Sequence, residues 1–172
     1  MVITEEPSRI GKLSGLNLKR LRLYDGSLNF DYAHFIPSIK KCSVLHGHSS
    51  RVVVELIGEP SADGIVVDFG LLKSVTKSVL KDLDHKLIVA DRYLRDVSDH
   101  EVTIEFLGAN GRYTLRVPPS GVVITQFEST VENISSLIAN RILESLPGNV
   151  LEVKVVVSEG FGKSASSKAS RQ

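Results

Sequence analysis

Residues 28–57 read LNFDYAHFIPSIKKCSVLHGHSSRVVVELI, two extended stretches either side of a segment that carries a lone cysteine and a His-Gly-His triplet. Side chains alternate along extended backbone, so in the first stretch, residues 28–36, Phe30, Tyr32, His34 and Ile36 share one face. The second stretch, residues 51–57, is dense in β-branched valine and is stopped by Gly58, Pro60 and the polar run 61–64. His46 and His48 also project to a common face, with Gly47 keeping the space between them open. If the 28–36 strand pairs beside the one that follows Gly47, His34 adds a third imidazole.

Outward from this stretch, residues 18–23 read as a strand joined to 28–36 through Asp25-Gly26, the signature of a hairpin. Downstream, Asp68 can cap a helix whose apolar stripe is Leu72, Val75, Val79 and Leu83, ending near Asp84-His85. Residues 101–107 and 112–117 alternate around Asn110-Gly111 and predict a second hairpin, closed by Pro118-Pro119. Ser129 and Glu132 have capping-box spacing ahead of Ile134, Leu137, Ile138 and Ile142, a second helix halted by Pro147-Gly148. Residues 150–159 form the last strand. Strands, helix, hairpin, helix, strand is an α+β order, and it predicts an antiparallel sheet covered on one face by two helices. Residues 17–160 form one domain, with 1–16 a flexible N-terminal segment and 161–172 a flexible C-terminal tail.

With 172 residues, 42% of them hydrophobic, the chain is long enough for one buried core, which excludes disorder, collagen and a membrane span. A formal net charge of +1 gives no field to gather nucleic acid or an anionic membrane, so neither is an expected partner. One cysteine cannot make an internal disulfide, which fits a reducing compartment and points to the cytoplasm.

Three neutral imidazoles with an open fourth position describe a catalytic zinc site, although surface or core histidines fit the spacing equally. Cys42 lies four residues before His46; beside a cation its thiolate can act as base or nucleophile, and otherwise it is a small buried hydrophobe. Asp84 next to His85 is half of a proton relay, or His85 is a solvated residue favoured by the helix dipole; neighbours on a helix do not face one another. Glu159 continues the apolar row Leu151, Val153, Val155 and Val157, so it points inward unless the strand has already ended. An inward carboxylate needs paired donors, which a flat heterocycle with an amino group and a ring N–H provides. The capping box explains Glu132 without further chemistry.

Phe30–His34, Cys42 with three residues before His46-Gly47-His48, Val67-Asp68-Phe69, Leu83-Asp84-His85, Ser129–Asn133 and Val157–Glu159 together resemble, collinearly from about residue 29 to 160, the 6-pyruvoyl-tetrahydropterin and 6-carboxytetrahydropterin synthase family. The segment from Asp91 onward, with its hairpin at about 100–118, looks like an insertion relative to the shortest members. The resemblance implies a tunnelling fold: an antiparallel four-stranded sheet with two helices on one face, assembled into an oligomeric barrel, commonly trimers stacked into hexamers. It implies zinc (Zn2+) on His34, His46 and His48, Cys42 as the proton-abstracting thiolate, and Asp84 with His85 as a relay supplied by a neighbouring subunit. Glu159 would anchor a pterin ring, with Thr130 and Glu132 at its edge.

The implied reaction is a carbon–oxygen lyase step on 7,8-dihydroneopterin triphosphate that eliminates triphosphate. The spacing from Cys42 to His46 resembles the 6-carboxytetrahydropterin enzymes of the deazaguanine (queuosine and archaeosine) pathway, whose product is 6-carboxy-5,6,7,8-tetrahydropterin. The sibling 6-pyruvoyl activity and a non-catalytic zinc-binding oligomer are the alternatives; the branch releasing a hydroxymethyl pterin usually carries glutamate at the cysteine. The chain departs from the family at Ser49-Ser50 (usually Asn-Tyr), at Leu87-Ile88 (usually Leu-Asn) and at Gly160 (commonly Thr). Lys40, Lys41 and Arg51 are the cations expected to meet a triphosphate.

Overall fold

The computed structural model describes residues 17–171, and the expected flexible segment 1–16 lies outside the described residues. A long strand, β1 (Lys19–His34), pairs antiparallel with β2 (His46–Gly58), and β2 pairs in turn with β8 (Val150–Ser158) and β8 with β9 (Ser164–Ser170). On the other side of β1 two short strands, β3 (Lys86–Ala90) and β7 (Val122–Thr125), extend the sheet in parallel. The order is β7-β3-β1-β2-β8-β9. Between β3 and β7 the chain builds a separate antiparallel sheet from β4 (Leu94–Val97), β5 (Val102–Gly108) and β6 (Gly111–Val117).

Helices α1 (Phe69–Lys81) and α2 (Val131–Ser145) cover one face of the large sheet. Their buried residues, among them Leu72, Val79, Ile134, Ile138 and Ile142, close a core with Phe30, Tyr32, Val52, Val54, Val153, Val155 and Val157. These strand residues are every second position, as a one-sided sheet requires. The opposite face is open and carries charge and apolar surface together: Glu55 forms ion pairs with Arg22 at 3.5 Å and Lys154 at 3.5 Å, beside half-buried Val53 and Val156. A second core of Phe35, Leu87, Val89, Val102, Ile104 and Phe106 joins the small sheet to the large one. Asp68 caps α1 as its sequence predicts, accepting the Leu71 N–H at 3.0 Å.

Four expectations are corrected. Asp25-Gly26 does not reverse the chain: residues 18–23 and 28–36 belong largely to the single strand β1. Between Tyr24 and Asn29 five steps of β1 oppose two of β2, a large bulge. Asp25 is tied down by Lys73 Nζ of α1 at 2.5 Å and by the Ser27 N–H at 2.8 Å, so the pair makes a local loop while both flanks keep β2 as partner. Ser129 is not the cap of α2; Thr130 is, accepting the Asn133 N–H at 3.3 Å, because Ser129 is buried and its carbonyl is engaged elsewhere. The helix α1 stops at Lys81, short of Asp84-His85. Finally, most of 161–172 is not a tail. Residues 164–170 form β9, with Ala169 buried, because alternating small residues fit against β8 and α2.

Arg171 then fastens this last strand to the end of α2, donating to the carbonyls of Val150 (2.9 Å), Leu143 (2.7 Å) and Leu146 (2.6 Å). Leu143 and Leu146 stand at the C-terminal end of α2, where carbonyls lack the following turn's N–H donors. Arg171→Ala should destabilise the fold by about 1–2 kcal/mol and lower the melting temperature by on the order of 3 °C, read by differential scanning calorimetry.

Candidate functional site

The register of β1 on β2 sets His34 opposite His46 and Tyr32 opposite His48, so the three imidazoles gather on the helix-covered face. Their ligand atoms lie within 4.8 Å of one another. His34 is fully buried, and its Nδ1 is 2.6 Å from the Ser129 carbonyl; His46 Nδ1 is 2.8 Å from the Val44 carbonyl. A carbonyl accepts only, so this bonding pattern assigns the ring proton of both residues to Nδ1 and leaves both Nε2 atoms as bare lone pairs. Those two Nε2 atoms are nevertheless 3.1 Å apart. Two acceptors do not approach so closely without a cation to share, and nitrogen ligands about 2.0–2.1 Å from a tetrahedral zinc ion are separated by about as much.

His48 Nε2 is buried without a hydrogen-bond partner and completes the set. Burial pushes the pKa of His34 and of His48 down, so both are neutral and ready to ligate. The donor set therefore fits a zinc-like cation, with the ring orientations fixed by backbone carbonyls. Gly47 is needed between the two ligands, since a Cβ there would stand 2.8 Å from the Tyr32 carbonyl oxygen of the neighbouring strand.

Glu159 follows the end of β8, but its carboxylate still turns inward: Oε1 lies 3.6 Å from His48 Nε2 and 3.8 Å from His34 Nε2, and the side chain is largely buried. A tight turn helps, the Glu159 N–H donating to the Lys163 carbonyl at 2.9 Å with Gly160 and Gly162 at positive φ. Thr130 is beside this group through its neighbour Ser129, whereas Glu132 is exposed in the first turn of α2. Cys42 is half-buried in the segment between β1 and β2 and stands outside the three-histidine group. Lys40 and Lys41 are exposed in the same segment, and Arg51 is exposed on the open sheet face.

Asp84 and His85 form a second group, with Asp31. Lying beyond the helix, they escape the geometry that keeps helical neighbours apart: His85 has φ 57°, which brings its Nδ1 to 2.9 Å from Asp84 Oδ1. Asp31 pins the pair with its backbone, its N–H donating to Asp84 Oδ1 at 2.9 Å and its carbonyl accepting the His85 N–H at 2.6 Å. His85 of this pair lines a cleft of about 490 Å³ together with Asp31, Ala33, Gly47, Ser49 and Leu87, and Tyr32 and His48 border the same cleft. Within one chain the histidine group and the Asp84–His85 pair are thus on opposite faces of the same sheet. The contributions of Asp31, Val44 and Ser129 were not visible in the sequence, because a main-chain acceptor leaves no residue-type signal.

Residues 26–170 match the 6-pyruvoyl tetrahydropterin synthase family. The chain belongs to that family. It is similar to a 6-carboxy-5,6,7,8-tetrahydropterin synthase of Haemophilus influenzae, 32% identical over 66% of this chain and 77% of that protein. A Pyrococcus abyssi protein given the same enzyme name provisionally is 37% identical over 84% of this chain and 87% of its own length. The 6-pyruvoyltetrahydropterin synthase of Plasmodium vivax shares the fold with a TM-score of 0.75 and 27% identity, covering 90% of this chain and 99% of that one. The architecture is accordingly the α+β tunnelling fold, a largely antiparallel sheet, extended in parallel by β3 and β7, with two helices on one face, and the protein is a pterin synthase of the lyase type. Among the described residues, no helix is long and apolar enough to cross a membrane.

Hydrogen bonds from the Asp31 N–H and from His85 hold the Asp84 carboxyl below its usual range. A depressed carboxyl stabilises the fold above its unfolded pKa, and that contribution is lost as pH falls through the folded value. Melting temperature should therefore drop on acidification below about pH 4, and Asp84→Asn should show a flatter acid limb in the same titration.

Proposed function

We propose that the chain converts 7,8-dihydroneopterin triphosphate and one water molecule to 6-carboxy-5,6,7,8-tetrahydropterin, with loss of triphosphate and a two-carbon aldehyde, in the cytoplasm and in the deazaguanine pathway. The observation that carries this reading is the convergence of His34, His46 and His48 beside the inward carboxylate of Glu159. The names of the Haemophilus and Pyrococcus relatives favour the carboxy-forming branch over its pyruvoyl-forming sibling. Zinc held by the three imidazoles supplies Lewis acidity that favours negative charge developing on the substrate side chain.

Around that centre the chain's own residues have distinct tasks. Glu159 accepts the amino and ring N–H groups of the pterin and fixes its orientation, with Thr130 and Glu132 at the ring edge. Cys42 takes a proton from the substrate side chain as a thiolate, and elimination of triphosphate breaks the carbon–oxygen bond. His85 delivers or receives the second proton, and Asp84 keeps its imidazole oriented and stabilises the charged form. Because the pair lies on the opposite face from the histidine group of its own chain, we assign it to the site of a neighbouring copy. The open face of the sheet, with its mixture of charge and valine, then meets other copies in a homo-oligomeric barrel built from trimers.

Anaerobic incubation of zinc-loaded protein with the substrate should yield a 6-carboxy pterin and acetaldehyde by mass spectrometry; a 6-pyruvoyl product would assign the sibling activity, and unchanged substrate would favour a non-catalytic zinc protein. Cys42→Ala should lower kcat by about 10²–10⁴-fold with zinc content unchanged. Mixing His34→Ala and His85→Ala subunits after reversible dissociation should restore part of the activity that neither has alone, and a mixture as inactive as its components would contradict the shared site.

A further inference from the structure

The segment that bears Cys42 has no regular structure, yet it is held at both ends by the small sheet. The Ile36 N–H donates to the Cys42 carbonyl at 2.6 Å. Next to the cysteine, Ser43 is buried; its hydroxyl donates to the Lys40 carbonyl at 2.9 Å and accepts the Ala109 N–H, from the β5–β6 turn, at 2.8 Å. Gly108 packs directly on the Ser43 carbonyl, and a Cβ there would collide with that oxygen and stand 2.7 Å from the Tyr113 ring. At the start of the segment Phe35 stacks on Phe106 with centroids 3.5 Å apart, and Phe106 stacks on Tyr113 at 4.6 Å.

The residue just ahead of β4 reaches the other half of the site. Tyr93, edge-on to Phe35 at 5.2 Å, donates its hydroxyl to the Glu128 carboxylate. Burial, aided by that bond, pushes Tyr93 up to about 12, so it remains a donor. Glu128 in turn accepts the Thr130 N–H (2.8 Å) and the Asn133 amide (2.9 Å) on its carbonyl, bracing the turn whose Ser129 carbonyl orients His34.

We infer that the β4–β6 sheet, with Tyr93 just ahead of it, is a clamp that fixes the Cys42-bearing segment relative to the turn that orients His34, acting through Ser43 and Gly108 on one side and through Tyr93 and Glu128 on the other. Ser43 and Gly108 are positioning residues; neither touches the reacting atoms. The clamp's catalytic meaning rests on the reading of Cys42 as the base, but its mechanical content does not. Without it, the Cys42 segment has few regular backbone bonds of its own and opens more often.

Cys42 is the sole cysteine, so its alkylation by iodoacetamide is read directly by intact mass on the full-length, zinc-loaded protein. Ser43→Ala, which removes one hydrogen-bonding hydroxyl, should raise the alkylation rate about fivefold. Gly108→Ala should raise it further and lower kcat about tenfold, with KM and zinc content held. Arg112→Ala, on the exposed surface of the same hairpin, is the control and should alkylate at the wild-type rate. Unchanged alkylation in folded Ser43→Ala and Gly108→Ala would overturn the clamp whatever the activity. Faster alkylation in a protein whose Cys42→Ala variant turns over normally would support the clamp and sink the assignment of Cys42 as base. Should Gly108→Ala fail to fold, Ser43→Ala decides alone.

Discussion

The antiparallel register that sets His34 opposite His46 is the constraint on which the site depends. A slip of one residue would turn β1 over and send its buried set, Phe30, Tyr32 and His34, to the open face. The core prevents this: residues of two helices and five strands interlock on the covered face, and burial of each large side chain contributes about 1.5–3 kcal/mol. Metal-ligand geometry is therefore inherited from hydrophobic packing, and the imidazoles need no network of their own beyond two carbonyl contacts. One of those contacts is long-range, since the Ser129 carbonyl reaches His34 only after α2 has docked.

The alternation that buries the histidines also exposes Asp31, and with it the Asp84–His85 pair. By strand alternation, Asp31 with its acid–base pair and the buried imidazole of His34 lie on opposite sides of β1. Burial pushes His34 and His48 down, whereas hydrogen bonds from the Asp31 N–H and from His85 hold Asp84 down.

Much of this was legible from residue order. Period-two alternation identified Phe30, Tyr32 and His34 as one face, and a cap followed by threes and fours located α1. The failures have specific causes. Asp25-Gly26 has the chemistry of a turn, but a neighbour 48 residues away, Lys73, and a long partner strand decided what the turn would do. Ser129 and Thr130 are both competent caps, and the choice between them was made by a histidine that needed a carbonyl. The segment 164–170 has too little hydrophobicity to announce a strand; it pairs because β8 offers an edge and α2 leaves room only for small side chains. Asp84 and His85 meet because His85 adopts a left-handed backbone, which no residue-type pattern signals.

The attachment of the small sheet to the thiol-bearing segment has an evolutionary reading. Its joints are an amide, a pair of carbonyls, a missing side chain at Gly108 and a short column of stacked rings. Main-chain groups are common to every residue, so the outward positions of the hairpin can drift freely while the joint survives. Selection would see only a handful of sites, and a lineage could lengthen, recharge or decorate this hairpin at little expense to the chemistry beneath it.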